Sequence, residues 1–491
     1  MGIVIKQSIR SSIISYLGVA IGYVNVLLLY PYFLDTGQVG LFRLVQSSAY
    51  LLATFGQVGT SQSFVKFYPE YKKEKGFLTA ALSGGTIGFV LLCIVTLIFK
   101  NQIVEYFSRE SALFTEYFQL TLIITFLIIL FQILEAYSRS ILKITASTFL
   151  KDIGLRLLTM VAIVLFGFEV IGFNSLIYSL IGTFGLSLIG LFGYFWKQGD
   201  LNLSFNFSFL KSNDLKQIIQ FGLYSLIGAG GTQIILQIDS IMISGALGLD
   251  ETGIYTIAFF IGIVIEMPKR AINQLSSALL AQSFKKDDME AVEKLYKQTS
   301  INQFLIGSFL LIGIYANLDN IYALIPNGES YIAGINVVLF IGLGKLSDMA
   351  FGANGQIIVM SRYYRFNVIS VAILAILTII LNIQLIPNYG IEGAAIASFL
   401  AMLSFNMIKF FFIWWKFGIQ PFDLSTLKLL LVTGIALGAN YFLSNLPNVL
   451  IDLAIRSIMI SMIFIGLVYL LKVSEEVNGL IDQGIQKLKL K

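Results

Sequence analysis

The chain repeatedly runs for more than twenty residues without a charged side chain: between Arg10 and Asp35, Arg43 and Lys66, Lys75 and Lys100, Lys216 and Asp239, Lys297 and Asp319, Arg365 and Glu392, and Lys428 and Asp452. A helix needs about 20 apolar residues to cross a hydrocarbon core of about 30 Å. Each run is therefore long enough to span a bilayer once. The first run exceeds a signal h-region and no A-x-A site follows it, so no cleavable leader is expected. Charged residues form 12% of the 491 residues and hydrophobic ones 57%, with a mean hydropathy of +0.82. That is about half the charge of a soluble domain, and it excludes disordered, collagen-like and disulfide-stapled classes as well. Cys93 has no intrachain partner, and the chain has 0 His, which removes imidazole as base or ligand. The fold class is an all-α polytopic membrane protein.

Dividing the chain at charged clusters and turns predicts about fourteen spans, at 10–31, 41–63, 77–99, 115–137, 152–169, 173–196, 216–238, 253–277, 298–316, 331–360, 366–386, 391–415, 427–445 and 451–471. With the N-terminus inside, 28 of the 33 Lys and Arg residues fall on the cytoplasmic side, from Lys6 through Arg156, Lys269 and Arg270 to Lys487, Lys489 and Lys491. Lys100, Arg109 and Arg456 fall opposite, and Arg43 and Lys345 lie inside spans. A wrong helix count would scramble this bias, so both termini are placed in the cytoplasm. Trp196, Trp414 and Trp415 fall at cytoplasmic ends, where interfacial anchors belong. Phe284–Lys297 carries Asp287-x-x-Glu290 and reads as a capped helix lying along the cytoplasmic face.

Val170–Lys197 aligned without gaps on Tyr389–Lys416 keeps Ile177/Ile396, Ser179/Ser398, Ile189/Ile408, Phe192/Phe411, Trp196/Trp415 and Lys197/Lys416. The register makes helices 1–6 and 7–12 equivalent as parallel repeats. The organisation is then a six-helix lobe at 1–197, a cytoplasmic linker at 198–215, a second lobe at 216–416, two added helices at 417–473 and a cytoplasmic tail at 474–491.

Polar residues inside the spans carry the functional signal. Arg43, Gln46, Tyr50, Thr54, Gln57 and Ser61 recur every three or four residues and share one helical face. Their bulk points to a wet cavity, although Arg43 could snorkel outward. Ser11, Ser15, Gly18, Gly22 and Asn25 form a stripe of small and polar residues on the first span, which suits helix packing or the facing wall of a cleft. Gln233 and Gln237 occupy the matching place on the seventh span. Lys345 and Asp348, three apart in the tenth span, each cost about 2.5–3.5 kcal/mol if they face lipid. They must face water, each other or partners, as a structural pair or as a binding or coupling site. Glu266, Lys269 and Arg270 read as interfacial, with Glu266 and Asp348 the ion-coupling candidates.

Gly344-Lys345-Leu346-Ser347 lacks P-loop spacing, so ATP drive would need another subunit. No nucleophile–base set and no Asp-x-Asp donor-sugar motif is visible. No cofactor, metal or nucleic acid is expected.

The strings Gly18-Val19-Ala20-Ile21-Gly22-Tyr23, Leu28-Leu29-Tyr30-Pro31-Tyr32-Phe33-Leu34, Gly40-Leu41-Phe42-Arg43-Leu44, Phe55-Gly56-Gln57-Val58-Gly59 and Phe64-Val65-Lys66-Phe67-Tyr68-Pro69-Glu70-Tyr71 resemble the O-antigen type oligosaccharide flippases. These belong to the multidrug/oligosaccharidyl-lipid/polysaccharide exporter superfamily. The resemblance implies a secondary transporter in a bacterial cytoplasmic (inner) membrane. It would flip an undecaprenyl-diphosphate-linked oligosaccharide to the outer leaflet by alternating access, alongside a polysaccharide polymerase and other assembly proteins. Arg43, with Lys345 across the lumen, would meet the diphosphate. Multidrug exporters of the superfamily usually have twelve spans, and lipid II flippases usually carry arginines in the first helix, whereas nothing charged lies between Arg10 and Asp35 here. A cation-coupled multidrug exporter and a membrane-embedded glycosyl- or acyltransferase are the alternatives.

Overall fold

The computed structural model describes residues 2–201, 203–443, 446–479 and 482–483. Lys487, Lys489 and Lys491, and the side chain of Lys6, lie outside the described residues, as does most of the expected tail beyond Gly479. Every regular element among the described residues is helical, which satisfies backbone polar groups within each segment where no water is present. Two compact units, Met1–Thr256 and Ile257–Lys491, divide the chain.

The first unit comprises α1 (Gly2–Tyr23), α2 (Thr36–Gly56), α3 (Thr60–Tyr71), α4 (Phe77–Ile98), α5 (Phe118–Ser140), α6 (Leu155–Gly167), α7 (Phe173–Lys197), α8 (Ser212–Ala246) and the start of α9 (Leu249–Gly262). Its centre is α5, whose Leu120, Ile124, Ile128, Ile129, Ile133 and Leu134 are buried against α2, α3, α4 and α7. Downstream of α1 a π-helical stretch, Val24–Leu29, precedes Pro31; the wider turn absorbs the hydrogen bond that proline cannot donate. A reciprocal capping box starts α2: the Asp35 carboxylate accepts from Gln38 N at 2.7 Å, and Gln38 Oε1 accepts from Asp35 N at 3.2 Å. The expected span 41–63 breaks at Val58 and Gly59, where φ turns positive. On α1, Gly18 lies so close to the Asp152 carbonyl that a Cβ would collide with it. The small-residue stripe is thus a packing face, set against residues 144–156.

The second unit comprises α10 (Met267–Lys285), α11 (Met289–Ala316), α12 (Ile335–Ala350), α13 (Tyr364–Phe417), α14 (Leu424–Tyr441) and α15 (Val449–Leu470). Here α11 is central and packs on α10, α12, α14 and α15. It runs unbroken from the polar segment into the apolar one, so no separate surface helix covers 284–297. Its cap is also one residue later than expected: Asp288 accepts from Ala291 N at 3.0 Å, while Asp287 takes a positive φ. The 54 residues of α13 bend at Gly390 (φ 58, ψ −139), a conformation that costs glycine alone little. That bend separates the expected spans 366–386 and 391–415. The tenth expected span, 331–360, breaks after Ala350, where Gly352 has a φ of 57°.

Ten helices among the described residues are long and apolar enough to cross a membrane, with α13 counted once. The expected spans 41–63, 152–169 and 253–277 fall on broken or more polar helices outside that set.

At one end of the second unit, buried Asp452 and Arg456 pair at 3.1 Å. Asn320 donates to Asp452 at 2.6 Å and Arg456 donates to Asn440 at 2.9 Å. This network ties α15 to α14 and to the Leu318–Leu324 helix. Arg456→Met leaves the carboxylate buried without its cation, and should lower stability by about 3–5 kcal/mol in thermal melts of the solubilised protein. Adding Asp452→Leu should recover part of that loss; a further additive loss would show that the two side chains do not act as a unit.

Candidate cationic sites

Arg43, Gln46 and Tyr50 are the partly exposed positions in an otherwise buried stretch of α2, Val39–Tyr50. Their spacing of three and four puts them on one face. Arg43 does not snorkel: its Nε donates to Ser240 Oγ at 3.2 Å and its Nη2 to the Leu236 carbonyl at 3.4 Å, both on α8. Ser240, Gln237 and Gln233 share an α8 face by the same spacing. Gln237 is buried with no partner for Oε1 among the described residues, and Gln233 is half-buried. Beside them, Tyr255 donates to the Asp239 carboxylate at 2.7 Å. Gln46 hydrogen-bonds Tyr30, and the Tyr50 ring meets Phe184 edge-on at 6.0 Å.

The residue that sequence reasoning missed is Arg156. The sequence places it only among the cytoplasmic-side charges, but it lies in electrostatic range of both Tyr30 and Tyr50, as does Arg43. Its guanidinium rests on Gly22, where an added Cβ would stand 3.1 Å from Cζ. Asn25 donates to its carbonyl at 2.8 Å, and Ser15 donates to Asp152, one turn earlier, at 2.5 Å. The signal available was the Gly22–Asn25 spacing, which marks a helix holding something bulky. Gln57 does not join this group. Its amide donates to Gln132 at 2.9 Å and its oxygen accepts from Ser61 at 2.5 Å, which ties α2 to α5.

In the second unit Lys345 and Asp348 do not pair with each other. Lys345 meets Glu266 at 2.6 Å, and Asp348 meets Lys269. Glu266 and Lys269 are therefore partners of the two α12 charges. Two segments with matching three-residue spacing set each carboxylate opposite an ammonium, and these cross-segment contacts replace the i,i+3 pairing that one helix also allows. Arg270 lies in electrostatic range of Lys345. Lys409, which is buried, lies in range of Asp348, with its ammonium 3.6 Å from the Phe405 ring centre. Next to it Asn354 donates to Asn406 at 2.9 Å. The second-unit group thus holds more cations than carboxylates, whereas Arg43 and Arg156 share their surroundings with Asp239, Asp152 and Glu135, and no cluster of metal-binding residues occurs among the described residues.

A model of the family described as polysaccharide biosynthesis protein matches residues 4–278, more than half of the chain and all of the Arg43–Arg156 site. The chain belongs to that family. Over 92% of its length it is 23% identical to an uncharacterized membrane protein, MJ1068, of Methanocaldococcus jannaschii, of which 91% is covered. Among solved structures, the lipid II flippase MurJ in an inward closed conformation matches 95% of this chain and 100% of its own, with a TM-score of 0.76 and 16% identity. An inward-facing MATE-family multidrug transporter of the MOP superfamily matches 82% of this chain and 94% of its own, with a TM-score of 0.63 and 15% identity. A MOP superfamily transporter from Pyrococcus furiosus matches 84% of this chain and 96% of its own, with a TM-score of 0.56 and 14% identity. This polysaccharide biosynthesis protein has the all-helical fold of those transporters and is a multi-pass membrane protein.

The pairing in the second unit has a measurable consequence. A double-mutant cycle on thermal stability with Lys345→Met and Glu266→Gln should give a coupling of about 1–3 kcal/mol. The cycle pairing Lys345→Met with Asp348→Asn should give clearly less. Equal couplings would mean that Lys345 serves both carboxylates alike.

Proposed function

We propose that the chain is a secondary transporter that flips a polyprenyl-diphosphate-linked oligosaccharide from the inner to the outer leaflet for surface polysaccharide synthesis. The observation that carries this reading is the pair Arg43 and Arg156, two half-buried residues that both lie in electrostatic range of the phenols of Tyr30 and Tyr50. A diphosphate carries two anionic centres, and guanidinium forks suit phosphate oxygens. Phenols and amides at Tyr30, Tyr50, Gln46 and Gln237 add neutral donors and acceptors for sugar hydroxyls. Asn25 acts by holding the Arg156 backbone, and Gln57 by holding α2. Family membership and the likeness to a lipid II flippase support a lipid-linked cargo.

In this proposal fourteen helices form two six-helix lobes, at 1–197 and 216–416, with two additional helices, and the lobes alternate in access. The membrane is the cytoplasmic (inner) one, both termini are cytoplasmic, and a polysaccharide polymerase receives the product. Glu266 and Asp348 are the coupling carboxylates, acting through exchange of their lysine partners. The likeness to MATE-family transporters favours a second reading, a cation-coupled multidrug exporter. Two adjacent arginines argue against a cationic cargo at this site.

Each charge-assisted hydrogen bond to an ion contributes about 1.5–3 kcal/mol, so Arg43→Ala or Arg156→Ala should weaken substrate engagement about tenfold or more. In cells, either variant should reduce surface polysaccharide and accumulate lipid-linked oligosaccharide in the cytoplasmic leaflet, at unchanged protein level. Arg43→Lys should retain part of the activity. Normal display in the double alanine variant would refute the diphosphate role of these arginines.

A further inference from the structure

Among its described residues, the connection between α7 and α8 is a non-helical strap. Its start is fixed by Asp200, whose carboxylate meets Lys143 at 2.6 Å and whose carbonyl accepts from the Tyr137 hydroxyl at 2.5 Å. Ser204 N donates to Thr79 Oγ1 at 3.0 Å, and Ser204 Oγ and Asn206 Oδ1 each accept from a backbone N–H two residues on. At the far end the Phe209 ring packs on Tyr71 and Phe77. The strap crosses Gly76, where a Cβ would press on the Asn206 carbonyl.

This fixed backbone holds its apolar side chains outward. Phe205 is 83% exposed, Leu203 and Phe207 are exposed too, and the two phenylalanine rings stand 6.5 Å apart. Alternate residues of an extended chain share one face, so all three project together. Trp196, also exposed, lies at the end of α7, four residues before Asp200.

Basic residues surround the strap. Gly76 brings it beside exposed Lys72, Lys73 and Lys75, and exposed Lys197, Lys211 and Lys216 flank it in sequence. The acidic groups nearby are fewer: Glu70 and Glu74 are exposed, Asp200 is paired with Lys143, and Asp214 hydrogen-bonds Tyr71. Exposed aromatics ringed by lysines match an anionic bilayer surface, where rings sit at the headgroup boundary and ammoniums meet phosphates.

We propose that this surface docks on anionic phospholipid headgroups, with Phe205 and Phe207 seated about 5–10 Å into the boundary between headgroups and acyl chains. The charge excess selects the anionic lipid, and the fixed strap avoids the entropic cost of ordering a flexible loop. This surface is distinct from the Arg43–Arg156 site, and its test does not depend on what the protein carries.

The test uses the full chain in nanodiscs of mixed phosphatidylcholine and phosphatidylglycerol, with Cys93→Ser and Phe205→Cys labelled by an environment-sensitive fluorophore. Bromines on the acyl chains of one lipid species at a time report which lipid lies beside the label. Brominated phosphatidylglycerol should quench more strongly than brominated phosphatidylcholine, by a preference of about fivefold per lysine engaged. Lys72→Gln, Lys73→Gln and Lys75→Gln together should reduce that preference, and a label at Leu203→Cys should repeat the pattern. Equal quenching by both lipids would overturn the anionic-lipid site. Water-exposed emission with no quenching by either would overturn docking on the bilayer and leave the strap free for a protein partner.

Discussion

An ionised side chain in a bilayer must keep water, a counter-ion or a polar neighbour, because hydrocarbon offers none of these. The arrangement of charge in this protein follows from that constraint. Glu266–Lys345, Lys269–Asp348 and Asp452–Arg456 are each closed within a few ångströms. Arg43 is held by a hydroxyl and a carbonyl of α8. The first two pairs join separate segments, and the third does so through Asn320 and Asn440. Removing one partner costs more than the pair contributes, so they act as locks on geometry as much as sources of stability.

The helices were legible because the same constraint writes itself into sequence as long uncharged runs. The α2 face was legible too, since the spacing of 43, 46 and 50 needs only helical periodicity. What depended on distant residues was not. Arg156 meets Gly22 and Asn25, more than a hundred residues away in sequence, and alone it counts only as one more cytoplasmic-side charge. Lys345 and Asp348 share a helix, whereas their partners arrive on another segment whose spacing matters only once the two lie parallel. Gln57 belongs to the predicted face by period, but its neighbour Gln132 makes it an internal bolt. Breaks in helices escaped for a local reason: Val58, Asp287 and Gly352 turn to positive φ in segments whose composition is still apolar or helix-forming.

On the proposed function, paired charges hold the helices while Arg43 and Arg156 are left to meet an anion. Family membership restricts the chain to polysaccharide biosynthesis proteins, and the fold restricts it to a transporter architecture. On the proposed function, the sign of the site selects the cargo. Two guanidiniums beside two phenols fit a lipid-linked diphosphate and fit an organic cation poorly. In the proposed docking, the charge excess near the strap has the same sign and meets a different anion, the lipid headgroups.

The central claim is that the cargo is an anionic, lipid-linked saccharide. Purified protein reconstituted in vesicles, with a polyprenyl diphosphate bearing a short fluorescent oligosaccharide, tests it most directly when fluorescence accessible to a membrane-impermeant reductant is followed over time. The account predicts that the protein speeds exchange of the labelled lipid between leaflets while leaving cationic dye flux at the rate of empty vesicles. Accelerated dye flux with no lipid exchange would contradict it.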